Sequence, residues 1–217
     1  ANSIQQTTDG GYIVAGWTYS FDSGGHDAYI LKLNSKGEVQ WQKTFVRENS
    51  DDEAKSVRQT TDGGYIVAGR TGDFESGDLY ILKLNSKGEA EWEKTFGGEY
   101  SDVANSIQQT TDGGYIVAGW TNSFGSGGED LYILNLNSKG EAEWEKTFGG
   151  GDDDVANSIQ QTTNGGYIVA GWTKSFGSGE QDAFVLKLNS KGEAEWQKTF
   201  GGKDDDEANS IQQTKDG

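Results

Sequence analysis

The chain has no cysteine, no proline and a single histidine, His26. The absent cysteines exclude a disulfide framework, and one histidine with no thiol excludes the usual zinc ligand set. Apolar residues make up only 32%, so any core must lean on the aromatics, which reach 12%. No apolar run approaches the ~20 residues of a membrane-spanning helix, which argues against membrane insertion. Positive charge is scarce: 18 Lys and Arg face 35 Asp and Glu, for a net charge of −17. So acidic a surface repels phosphate backbones and anionic lipid, which excludes nucleic acid as an expected partner. The chain opens at Ala1 without a leader, as expected of a processed or excised segment.

What is abundant is glycine, 33 residues without a collagen-like period, which suits tight turns and close strand packing. Self-similarity organises the rest. ANSIQQTTDGGYIVAGWT at Ala1 returns as AKSVRQTTDGGYIVAGRT at Ala54, and in near copies at Ala104 and Ala156. The stub ANSIQQTKDG begins at Ala208. The repeats therefore cover residues 1–53, 54–103, 104–155 and 156–207, followed by an extra strand within 208–217. The 217 residues form one domain or part of a larger one.

Each repeat reads as four strands. Ser3 to Thr7 is polar apart from Ile4, and Asp9-Gly10-Gly11 supplies the positive-φ residues of a hairpin turn. Tyr12 to Trp17 is continuously apolar, as in a strand buried on both faces. A Gly/Ser-rich loop leads to Tyr29–Leu33, and Asn34-Ser35-Lys36-Gly37 is a turn. In Val39–Phe45, alternation places Val39, Trp41 and Phe45 on one face. Helical periodicity is absent. Four strands repeating every 50 or so residues predict an all-β fold, a β-propeller of four-stranded antiparallel blades with the polar strand at the axis and the alternating strand at the rim.

Gly-Gly-Tyr-Ile-Val-Ala-Gly, Tyr-Ile-Leu-Lys-Leu-Asn and Gly-x-x-x-Trp resemble the propeller repeats of bacterial and archaeal cell-surface proteins. They are also similar to kelch blades, although Ala15-Gly16 stands where those carry two glycines. Gly37 to Trp41 resembles part of the quinoprotein blade motif, but Asn34 and Lys36 replace its Asp and Thr, so no quinone or other cofactor is implied. The resemblance spans the whole chain and implies a propeller at the cell surface or outside the cell. It leaves the activity open, because such folds host many functions.

The loop after the second strand varies most between repeats. Trp17, Arg70, Trp120 and Trp172 precede it, and Phe21, Phe74, Phe124 and Phe176 lie within it. Aromatics on a loop face can stack on sugar rings or clamp a peptide. The commoner fate of such side chains is to plug gaps between packed sheets. Acidic clusters precede each new repeat (Asp51 to Glu53, Asp102, Asp152 to Asp154, Asp204 to Glu207), without EF-hand spacing, and read as solvated turns rather than calcium or other metal sites. Asp27, Asp78, Asp130 and Asp182 are expected to hold loop amides. No Ser-His-Asp set recurs, and near-equivalent repeats are poor ground for one asymmetric active site, so the expectation is no enzyme. Two functions remain: a module binding glycan or protein through its loop face, or a structural subunit assembling with copies of itself. In the second, the surplus segment Ser210, Ile211, Gln212, Gln213 and Thr214 is exchanged head to tail.

Overall fold

The computed structural model describes residues 1–20, 25–47 and 50–215. Among them lie sixteen strands and no helix. The first repeat holds β1 (Ser3–Gln6), β2 (Tyr12–Thr18), β3 (Asp27–Leu33) and β4 (Val39–Phe45). The second holds β5 (Glu53–Gln59), β6 (Tyr65–Thr71), β7 (Asp78–Leu84) and β8 (Ala90–Phe96). The third holds β9 (Asp102–Gln109), β10 (Tyr115–Thr121), β11 (Asp130–Leu136) and β12 (Ala142–Phe148). The fourth holds β13 (Asp154–Gln161), β14 (Tyr167–Thr173), β15 (Asp182–Leu188) and β16 (Ala194–Phe200). Each repeat is one antiparallel four-stranded sheet in sequence order. The chain clusters into two compact units, Ala1–Gln109 and Thr110–Gly217.

The turn between the first two strands is stitched by side chains. Thr7 N–H donates to the Gly11 carbonyl at 2.9 Å, and Asp9 accepts from Gly11 N–H at 3.0 Å. Buried Lys32 reaches across from β3 to Asp9 at 2.9 Å and to the Leu33 carbonyl at 2.9 Å. Contrary to expectation, only Gly10 of the glycine pair takes a positive φ, 79°. Gly11 is needed for close approach, because a Cβ there would lie 2.2 Å from the Leu33 carbonyl oxygen.

The fourth strand also departs from the alternation reading. Lys32 pairs with Trp41 but Leu33 pairs with Val39, so Gln40 is an extra residue at a β-bulge. The bulge turns Val39 to the opposite face from Trp41 and leaves it 57% exposed. The same shift recurs in the other three sheets.

Neighbouring sheets within a unit pack face to face. In the first unit Ile13, Ala15, Ala28 and Ile30, with Trp41 and Phe45 at the rim, meet Ala54, Val57, Tyr65, Val67, Tyr80, Leu82 and Leu84 of the next sheet. In the second unit Ile116, Ala118, Leu131, Ile133, Trp144 and Phe148 meet Ala156, Ile159, Tyr167, Val169, Phe184, Leu186 and Leu188. One interface is built twice. Each large apolar side chain wholly removed from water stabilises it by roughly 1.5–3 kcal/mol.

The polar first strands carry the hydrogen-bonded half of this interface. Ser3 Oγ accepts from Val57 N–H at 3.2 Å and Gln5 Oε1 from Gln59 N–H at 2.7 Å. In return Gln59 Oε1 accepts from Thr8 N–H at 2.8 Å. Side chains of the preceding first strand thus meet amides on the edge of β5 turned away from its own hairpin, and Ser56 Oγ likewise accepts from Ile107 N–H of β9 at 3.3 Å.

The seventeenth strand expected over Ser210 to Thr214 is not formed; residues 210–214 carry no strand pairing. A strand needs a hydrogen-bonded partner strand, and among the described residues none pairs with this segment. The segment is nonetheless docked. Ile211 N–H donates to Ser158 Oγ at 3.3 Å and Gln213 N–H to Gln160 Oε1 at 2.7 Å. Gln213 Oε1 accepts from Thr163 N–H at 2.9 Å.

Candidate functional site

The eight loop-face residues fall into two groups. Phe74 is 78% exposed, Phe124 42%, Trp17 40% and Phe176 36%, whereas Arg70, Trp120 and Trp172 are half-buried. Phe21 lies outside the described residues. Trp17, Phe74, Phe124 and Phe176 each make a ring contact within their own repeat. Phe124 lies 5.7 Å from Tyr132, Phe176 stacks at 6.2 Å on Phe184, and the Arg70 guanidinium sits 5.4 Å from the Phe74 ring centre. Trp17 packs at 4.4 Å on His26, which also meets Tyr19. Most of the set therefore combines a packed face with an exposed one, and Phe74 projects furthest into solvent.

The acidic clusters are not simply solvated turns. Asp52, Asp102 and Asp154 are buried, while the equivalent Asp206 is exposed. Each N–H donates to the carbonyl just before the preceding repeat's third strand: Asp52 to His26 at 2.7 Å, Asp102 to Gly77 at 2.7 Å, Asp154 to Glu129 at 2.5 Å and Asp206 to Gln181 at 2.8 Å. Their carboxylates accept from Arg47, Gly98, Gly150 and Gly202 N–H. Asp130 and Asp182 hold the Ser126 and Ser178 amides at 2.8 Å, the role expected of them. The reason for burial is a close approach: a Cβ on Gly149 would stand 2.0 Å from Asp130 and 2.7 Å from Asp154. Gly97 and Gly201 sit in the same way between Asp78 and Asp102 and between Asp182 and Asp206. Val46 takes this place in the first repeat, and beside it Arg47 lays its guanidinium 4.7 Å over Tyr80. Among the described residues no three His, Asp or Glu side chains gather as a metal site.

Two opposing pH effects follow. Burial, then the Asp102 charge, raises the Asp78 carboxyl against the opposing pull of Arg47. Burial, then the Asp154 charge, raises Asp130, despite the Ser126 amide. These groups bind protons more readily folded than unfolded, so they stabilise the fold as pH drops toward the usual carboxylate range. Asp62 goes the other way: burial opposes ionisation, but hydrogen bonds from Thr60, Lys83 and Gly64 outweigh it and bring the group to about 2. Its contribution is present above the ordinary 3.8 and is lost as pH falls through about 2. Asp9, held by Thr7 and then Lys32, and Asp112, held by Thr110, are lowered likewise. The expected melting temperature rises from pH 7 into mild acid and falls again below about pH 4. In Asp62→Asn the acid fall should be shallower; an unchanged acid limb would remove the turn carboxylates from this account.

The two end sheets present a third feature. Trp41 meets Tyr65 edge-on at 5.7 Å, and a Cβ on Gly88 would strike the Trp41 ring at 2.8 Å. Trp144 repeats both contacts, with Tyr167 at 5.8 Å and Gly192 at 2.8 Å. Trp196 is instead 44% exposed. It lines a cleft of about 310 Å³ with Ile168, Lys187 and residues 211–214. At the other end Gly37 has nothing within 4 Å, Ile4 is 63% exposed, and Tyr12 and Val14 are half-buried where Tyr65 and Val67 are 2% exposed. Repeat-to-repeat equivalence was the sequence signal for these two uncovered faces.

No protein-family model matches the chain, and no curated protein matches it significantly.

Proposed function

We propose that this chain is a β-propeller section, outside the cell or on its surface, whose work is non-catalytic self-association. Its first and fourth sheets offer the unmated halves of the interface that joins the two sheets within each unit, so further copies add head to tail. One observation carries this reading: the Trp–Tyr–Gly contact made by Trp41 and by Trp144 has its tryptophan half open at Trp196 and its tyrosine and glycine half open at Tyr12 and Gly37. Radial stacking of four-stranded sheets is the way propellers leave few exposed edges, which supports the propeller assignment. The two halves differ, so the contact is heterologous and gives rings or filaments.

A chain-capping experiment tests it. Trp196→Arg spoils one half and keeps the other, so this variant should join an assembly once and stop it. Added to wild type, it should lower the mean sedimentation coefficient in proportion to its share. An unchanged distribution would defeat the proposal.

A second reading has the exposed Phe74 in its favour: the loop face binds a glycan or protein. Phe74→Ser should then abolish signal on a glycan array or in a protein pull-down while leaving melting temperature and sedimentation unchanged. A variant that keeps its ligand removes this reading.

A further inference from the structure

The C-terminal segment is laid against the fourth sheet as β5 is laid against the first. The side-chain hydrogen bonds that β1 and its turn make to β5 have their copies here. Asn157 Nδ2 donates to Glu207 and the Ala208 carbonyl, as Asn2 Nδ2 does to Glu53 and the Ala54 carbonyl. Ser158 and Gln160 hold Ile211 and Gln213, as Ser3 and Gln5 hold Val57 and Gln59. With Ile211 and Gln213 N–H turned to the fourth sheet, strand alternation turns Ser210 and Gln212 N–H to the opposite edge.

The strand that fits this edge is β2. In the fourth sheet Gln161 pairs with Tyr167, Ile159 with Val169 and Asp154 with Thr173. The equivalents are Gln213 with Tyr12, Ile211 with Val14 and Asp206 with Thr18. β1 covers β2 through only four pairs, Ser3–Ala15 to Gln6–Tyr12, and leaves Trp17 40% exposed. The segment from Asp206 to Gln213 carries the full complement seen in β13, seven pairs. Placed so, Tyr12 enters the cleft beside Trp196, and Trp196 reaches the open space at Gly37.

We infer that residues 206–213 of one copy pair with β2 of a second copy in the position of β1, so that the association proposed above proceeds by strand donation. This rests on the self-association reading and adds the displaced strand and its register. An unpaired strand edge recruits a strand of matching pattern from another chain. Donor and acceptor are both acidic overall, so added salt should favour the contact by screening.

The absence of cysteine makes the register directly testable. Thr7 N–H bonds to the Gly11 carbonyl, so alternation makes Val14 a non-hydrogen-bonded position, where facing Cα atoms approach to about 4.5 Å and a disulfide can close. Val14→Cys and Ile211→Cys are made as separate single variants, mixed, and oxidised. The expected product is a dimer that needs both variants, well above either alone. The double variant on one chain should give a ladder of multimers on a non-reducing gel. A cross-linked monomer instead would mean that the segment closes on its own chain. Multimers by sedimentation without a cross-link would mean that the end faces meet with β1 in place, which overturns strand donation and spares self-association. Monomer throughout, in wild type as in the variants, overturns both.

Discussion

Val169→Asp is expected to destabilise the second unit by about 4 kcal/mol or more at neutral pH, enough to consume much of a domain's net stability. Val169 is 0% exposed and lies in the apolar contact between the third and fourth sheets, beside Ile159, Leu186 and Tyr167. A carboxylate there has no cation to pair with in that cluster, so it must pay desolvation or take up a proton. The second route makes the penalty smaller near pH 4. Urea titrations at the two pH values check both parts. A loss within about 0.5 kcal/mol would mean that this strand faces water and that the sheets do not pack as described.

Gly171→Ala should cost about 3 kcal/mol or more, and Gly165→Ala about 1 kcal/mol. The first glycine sits at the bulge where Ala156 pairs with Gly171 and Ser158 with Ala170. A Cβ there would lie 1.8 Å from the Val155 carbonyl oxygen, a contact between two backbones that neither strand can yield without losing its ladder. Gly165 has φ +81° but open space around it, so only the left-handed conformation is penalised. Gly69 repeats the first situation against Glu53, so Gly69→Ala should behave as Gly171→Ala does. Equal losses at Gly171 and Gly165 would show that conformation, not close approach, sets the glycine requirement.

The repeats, the four strands of each and the two-sided burial of the second strand were legible from residue order, because period and apolar runs translate directly into strands and sheet contacts. The faces of β4 were not. A bulge adds one residue without altering composition, and Val39 looks like a companion of Trp41 until its pairing with Leu33 is seen. The buried aspartates were missed for a different reason. Asp102 and Asp154 stand in stretches that read as solvated turns, and their burial depends on Gly97 and Gly149 passing close by, a contact between residues some five positions apart. The recurring Gly-Gly of Gly97-Gly98, Gly149-Gly150 and Gly201-Gly202, replaced by Val46-Arg47 in the first repeat, was the available signal.

The loop residues were located by variability between repeats, and the structure divides those it describes by exposure. The end faces were legible only in part. Sequence identity between Ser3–Thr7 and Ser210–Thr214 marked the second segment as a copy of the first. The contacts made by Asn157, Ser158, Gln160 and Thr163 place the second of them on the fourth sheet. Polar residues of the first strands thus act as connectors between sheets, which their hydrophilicity alone did not reveal.

Self-association requires that the interface inside each unit be the one that the first and fourth sheets offer to other copies. Light scattering on the wild-type chain across a hundredfold concentration range tests it most directly. The mean mass should climb above 23.5 kDa by whole chains as concentration rises. A mass fixed at 23.5 kDa over the whole range would contradict it.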